Sequence, residues 1–202
     1  IDISKSLKDL GIDDIPPSLT PAEKQATVRD LLLSRSGVYH EAAGEAQSMI
    51  DSRPPRGSRT PGRMGEQAAA PPTSPGRMGS RVPRASLSGT HEMQAAQPPT
   101  SPGRFFYYNN WDFNALGTIF RRETGQDIFE AFYEEIARPI GMVDFTPGDC
   151  TYVFERDKSE HPSYFFRMST RDMARFGLLY QDLGSWKGRM IIPEDGIRRS
   201  TR

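Results

Sequence analysis

The sequence holds a single cysteine, Cys150, and only three histidines, His40, His91 and His161. A lone thiol has no partner for an internal disulfide. The histidines share no ligand spacing with it or with one another, so no zinc site and no metal cofactor is expected. Long apolar runs are also missing: none approaches the roughly 20 residues needed to cross a bilayer. The opening Ile1-Asp2-Ile3-Ser4-Lys5 shows no basic-then-apolar leader pattern and no initiator methionine, which sets the expectation that the chain begins inside a domain. Charge of one sign is absent in net terms, because Lys plus Arg and Asp plus Glu are 26 each. Such a balance gives no overall basic pull toward nucleic acid. These absences predict no membrane span, no nucleic-acid partner and no cofactor.

Aromatic residues are missing from one segment only. Residues 53–104 contain no Phe, Tyr or Trp, yet carry ten of the seventeen prolines and eight arginines against two glutamates. Such a segment buries too little apolar surface to offset the entropy of ordering it. Pro71-Pro72-Thr73-Ser74-Pro75-Gly76-Arg77 recurs unchanged from Pro98 to Arg104, and Thr60-Pro61-Gly62-Arg63 is a shorter copy of the same ending. Removing 64–104 joins Arg63 to Phe105 as one ordinary loop. Residues 64–104 therefore read as a duplicated, Pro/Arg-rich disordered insert within one domain formed by 1–63 and 105–202. A second reading is an arginine-rich arm for an acidic partner or an aromatic groove.

Elsewhere the patterning is mainly helical. Val28, Leu31 and Leu32 predict a helix over Thr27–Ser34 that stops at Ser36-Gly37, where glycine takes the left-handed cap. Trp111, Ala115, Leu116, Ile119 and Phe120 predict a helix from Trp111 to Thr124, with Asn110 as N-cap and Gly125 as the stop. Asp127 caps a further helix with Ile128, Phe129, Phe132 and Ile136 inward, ending before Pro139. Ser169-Thr170-Arg171-Asp172 opens another as a variant capping box and runs on toward Gly184. Strands are predicted at Thr151–Glu155 and Met190–Ile192.

The stretch richest in chemistry is Phe106-Tyr107-Tyr108-Asn109-Asn110-Trp111-Asp112-Phe113-Asn114-Ala115-Leu116-Gly117. It places phenols and carboxamides at a loop-to-helix junction, where backbone N–H groups and the helix dipole favour negative charge. Read alone, a tyrosine before an N-cap asparagine is a packed ring beside a cap. Trp111 and Phe113 read first as core residues and second as walls of an acyl pocket.

That stretch resembles the Tyr-x-Asn motif of the β-lactamase-related serine hydrolases, which include class C β-lactamases, D-alanyl-D-alanine peptidases, and related esterases and amidases. Counting back from Leu116-Gly117 aligns Tyr108 and Asn110 with the motif, rather than Tyr107 and Asn109. Residues 28–38, ending Ser34-Arg35-Ser36-Gly37-Val38, resemble the family's Leu-Leu-x-His-x-Ser-Gly-Leu, with Ser34 in the place of the histidine. Ser169 to Gly177 resembles its Ser-x-x-Asp-Leu-Ala-Arg-Phe-Gly helix. Glu123-Thr124-Gly125-Gln126 and Ile136 to Met142 resemble its Thr-Gly and Pro-Leu-Gly-Met. Order and orientation agree, and the resemblance covers nearly the whole chain outside 64–104.

The resemblance implies an α/β (α+β) fold of the β-lactamase/transpeptidase type, of which this chain covers mainly the helical part. It implies acyl-enzyme hydrolysis of a small-molecule amide, ester or β-lactam, with Tyr108 as general base and Asn110 orienting substrate and lysine. The family's nucleophile is the serine of a Ser-x-x-Lys segment. No serine of this sequence is followed by lysine three positions later, and no Lys-Thr-Gly or His-x-Gly occurs. The nucleophile and its lysine are therefore expected to be absent from these residues, and the chain alone is expected to be inactive. Alternative readings are a non-catalytic remnant and an interaction module acting through the Arg/Pro-rich arm.

Overall fold

The computed structural model describes residues 1–51 and 101–201. The helices are α1 (Val28–Leu32), α2 (Gln47–Asp51), α3 (Asn110–Thr124), α4 (Ile128–Phe132), α5 (Thr170–Gln181) and α6 (Glu194–Ser200). The strands are β1 (Thr151–Val153), β2 (Ser163–Phe165), β3 (Ser185–Trp186) and β4 (Arg189–Met190). They form two antiparallel two-stranded pieces, with Tyr152 opposite Tyr164 in one and Trp186 opposite Arg189 in the other. The described part is thus mainly helical, as expected for a portion of an α/β fold. Most of the 64–104 segment lies outside the described residues. Of its last four residues, Gly103 donates its N–H to the Arg35 carbonyl at 2.8 Å.

Helix α1 opens on a capping box that the periodicity did not reveal. The Thr27 side chain accepts from the Asp30 N–H, and Asp30 accepts in return from the Thr27 N–H. Val28 and Leu31 are buried on its inner side, while Leu32 is exposed. The helix ends earlier than predicted, and Ser34, not Gly37, takes the left-handed stop at φ +51°. Arg35 N–H reaches the Asp30 carbonyl and Ser34 N–H the Leu31 carbonyl, the bond pair of a Schellman ending.

Helix α3 starts one residue before the prediction, with Asn109 rather than Asn110 as its N-cap. The Asn109 side-chain oxygen accepts from the Asp112 N–H at 3.0 Å, while its amide donates to the Val38 carbonyl at 3.0 Å. Two adjacent asparagines are locally equivalent as caps. Asn109 serves because only its amide also meets the 36–38 segment, which joins the start of α3 to the end of α1. Gly125 at φ +71° ends the helix, as predicted.

Asp127 caps α4 by accepting from the Phe129 and Glu130 N–H groups, and the helix continues as a π turn over Tyr133–Ala137. At α5 the expected capping box is only half made. Ser169 accepts from the Asp172 N–H, but the buried Asp172 carboxylate accepts from the Val143 and Asp144 N–H groups and from Arg175. It ties the loop after Met142 to α5 instead of closing a local box.

The predicted Thr151–Glu155 strand is shorter, and its partner β2 was not foreseen. The predicted Met190–Ile192 strand shifts to Arg189–Met190, leaving Ile191 and Ile192 to pack on the core.

Two cores result. One gathers Leu7, Ile12, Val28, Leu31, Trp111 and Ile119 around α1 and α3; the other gathers Ile140, Met142, Phe145 and Leu179 beneath α5. Each large side chain so buried contributes about 1.5–3 kcal/mol of transfer free energy. Asp14 joins distant parts of the first. Its carboxylate accepts from Trp111 Nε1 at 2.5 Å, from Ser159 Oγ at 2.7 Å and from the Glu160 N–H at 2.7 Å. The burial of Trp111 therefore comes with its one polar group satisfied.

Candidate active site

The turn before α3 separates its two tyrosines. Tyr107 donates its N–H to the Ser34 carbonyl at 2.8 Å, and its ring meets Tyr39 edge-on at 5.2 Å. Burial, then the proximity of Tyr107 and Asp112, pushes the Tyr39 phenol up to about 12, so this phenol stays neutral. Tyr108 is 55% exposed, and its ring lies 5.5 Å from Phe113, one turn into α3.

Between this turn and β2 lies a cavity of about 250 Å³. Its aromatic lining is Tyr108, Phe113, Tyr164 and Phe165. Asn110 and Asn114 add carboxamides, and Gly44 and Ser163 complete the lining. Asn114 donates to the Ala43 carbonyl at 3.0 Å, which fixes its orientation. Asn110 makes no side-chain hydrogen bond among the described residues, so its carboxamide is available at the cavity. Tyr108 and Asn110 thus share one cavity, which neither Tyr107 nor Asn109 lines. The pair Trp111 and Phe113 splits: Trp111 is fully buried on Asp14, and Phe113 lines the cavity.

Behind the turn, Ser36 Oγ donates to the buried Asp112 carboxylate at 2.5 Å. Among the described residues the second Asp112 oxygen has no hydrogen-bond partner. Burial pushes this carboxyl up to about 8, against the hydrogen bond from Ser36 that pulls it down. A neutral acid at this position removes the cost of a buried, half-satisfied charge.

Of the other singled-out residues, His161 is fully buried. Its Nε2 lies 2.8 Å from the Asp13 carbonyl and its Nδ1 3.1 Å from Thr118 Oγ1. An Nε2–H donating to the carbonyl leaves Nδ1 to accept from Thr118, and burial lowers the pKa, so the ring is neutral and structural. Cys150 is half-buried, and burial raises its thiol.

Sequence reading missed Gly44, Asn114, Ser163, Tyr164 and Phe165 as lining. The one available signal was Ser163-Tyr164-Phe165-Phe166, an aromatic run of strand character just ahead of α5. Its location at the cavity is set by pairing with β1, which periodicity does not show.

Comparison with known proteins agrees with this architecture. No curated protein matches the chain. Among solved structures, the Bacillus anthracis chain named "Putative 6-aminohexanoate-dimer hydrolase" superposes with a TM-score of 0.55 at 22% identity. That alignment covers 98% of this chain and 46% of the other, so the present chain spans under half of that protein's length. At this identity the likeness concerns the fold. The family model described as Beta-lactamase matches residues 12–202, nearly the full length. The chain belongs to the Beta-lactamase family.

Proposed function

We propose that this chain forms part of a serine hydrolase that cleaves a small-molecule amide, ester or β-lactam through an acyl-enzyme, with Tyr108 as general base and Asn110 orienting the substrate. Family membership supports the reaction class. The single observation that carries the residue roles is that Tyr108 and Asn110 line one cavity, while Tyr107 packs away from it on Tyr39. A serine hydroxyl is a weak nucleophile until a neighbouring base takes its proton, and a phenol exposed at a cavity mouth is placed to exchange one. The free Asn110 carboxamide offers a donor and an acceptor for a substrate carbonyl or amide, a role that orients rather than reacts.

No Ser-x-x-Lys occurs in the sequence, so the nucleophile is proposed to come from residues other than these, and residues 1–202 alone are proposed to be inactive. Labelling with a serine-reactive fluorophosphonate tests this. Residues 1–202 alone are expected to remain unlabelled, and an intact protein that includes a Ser-x-x-Lys segment is expected to label on that serine. Stoichiometric labelling of residues 1–202 overturns the proposal.

A further inference from the structure

Asn110, Phe113, Asn114 and Gly117 stand at positions i, i+3, i+4 and i+7 of α3 and so form one stripe along the helix. The first three line the cavity beside Tyr108. At the fourth the stripe is covered, because the Tyr164 ring lies directly on the helix: a Cβ on Gly117 would fall 2.5 Å from the ring Cε1 and 2.8 Å from Cδ1. Only glycine lets the ring come so near. Strand β2 carries the ring to this place. Its pleat turns Ser163 and Phe165 toward Gly44, where a Cβ would fall 2.5 Å from Ser163 Oγ and 3.1 Å from the Phe165 ring, and turns Tyr164 the other way, onto α3. The register opposite Tyr152 holds the Tyr164 backbone in position. Tyr164 also lines the cavity, so its ring closes the cavity at the Gly117 end of the stripe.

We infer that Tyr164 is a specificity-determining residue: its ring, seated on Gly117, limits how far an acyl chain can extend from the Tyr108 end of the cavity along α3, and so selects short acyl groups. The inference rests on the proposed reading of Tyr108 as the base. A base that takes the serine proton returns it to the leaving atom. The leaving group therefore lies at the Tyr108 hydroxyl, and the acyl chain runs from the other side of the carbonyl toward Asn114 and Gly117. Both partners of the ring-on-helix contact belong to this chain, so the wall stands whichever segment supplies the nucleophile and its lysine. Without the ring the stripe is open as far as Gly117, about one helical turn or roughly 5 Å beyond Asn114. Each methylene buried in that space strengthens binding about fourfold.

Turnover of p-nitrophenyl acetate and p-nitrophenyl octanoate by the intact protein tests this through the ratio of their kcat/KM values. Tyr164→Val removes the ring and keeps a β-branched residue suited to the strand. It is expected to raise the octanoate-to-acetate ratio at least roughly tenfold, as about two newly buried methylenes provide. Tyr164→Phe restores the ring and is expected to return the parent's ratio. Gly117→Ala presses the ring toward the cavity and is expected to lower the ratio. A Tyr164 with a structural role only would slow both esters alike. An unchanged ratio in Tyr164→Val overturns the inference; if that variant does not fold, an unchanged ratio in Gly117→Ala does so. No turnover of either ester by the parent also overturns it. Tyr108→Phe is read separately. If the ratio shifts while Tyr108→Phe keeps full turnover, the wall stands and the base assignment falls. If Tyr108→Phe is slow while the ratio does not move, the base assignment stands and the wall falls.

Discussion

Ser36 and Asp112, 76 positions apart in sequence, are joined by a 2.5 Å hydrogen bond that ties the segment after α1 to the first turn of α3. Asn109 makes the parallel link to Val38. Tyr108 sits immediately before this doubly anchored turn, so its backbone is held by contacts that its own side chain does not make.

The Asp112 carboxyl gives the fold a pH dependence of definite sign. Unfolded, an aspartate titrates at about 3.9; folded, burial pushes this one up to about 8. Between those values the folded chain keeps a proton that the unfolded chain has released. The stability contributed by the neutral acid is complete below about pH 4 and is lost as pH rises through about 8. Asp112→Asn is neutral throughout, and its melting temperature is expected to change less than the parent's between about pH 5 and about pH 9. Thermal melts across that range decide; an unchanged slope in the variant counts against a neutral Asp112.

Gly117 faces Tyr164, and a Cβ there would lie 2.5 Å from the ring Cε1 and 2.8 Å from Cδ1. Helix propensity alone favours Gly117→Ala by about 1 kcal/mol. Overpacking against the half-buried ring is expected to outweigh this and give a net loss of about 1–3 kcal/mol. Denaturant unfolding checks the sign. In a Tyr164→Ala background the same change is expected to become neutral or stabilising, and an additive cycle would contradict the contact.

Ser34 occupies the left-handed region that costs an L-residue roughly 1–2 kcal/mol. Ser34→Gly is expected to stabilise by about 0.5–1 kcal/mol, while a β-branched residue there is expected to destabilise by more. Urea midpoints of Ser34→Gly and Ser34→Val give the comparison, and a less stable glycine variant would assign Ser34 a side-chain role.

For catalysis, Tyr108→Phe keeps the ring beside Phe113 and removes only the hydroxyl. In the intact protein it is expected to slow acylation by about 10²–10⁴-fold, the usual worth of general acid–base catalysis. Tyr107→Phe, whose ring packs on Tyr39, is expected to cost little. Pre-steady-state acylation rates rank the two, and the reverse order would move the base to Tyr107.

The sequence by itself determined what depends on near neighbours. The apolar spacing of Trp111, Ala115 and Ile119 placed α3, Gly125 marked its end, and Asp127 and Ser169 capped the helices that follow, because each signal acts within about one helical turn. The Tyr-Asn, Ser-Gly and Asp-Met-Ala-Arg-Phe-Gly stretches likewise carried the family resemblance. Tertiary structure decided everything that required a partner far along the chain. Asn109 rather than Asn110 became the cap because Val38 lies within reach of its amide. Asp172 turned from its local box to the Val143 and Asp144 amides. Trp111 went inward to Asp14 while Phe113 went to the cavity. β2 exists as a strand through its pairing with β1, which brings Tyr164 and Phe165 to the cavity. Local propensity is nearly equal for each of these alternatives. The choice falls to hydrogen bonds and packing between segments that only the fold brings together.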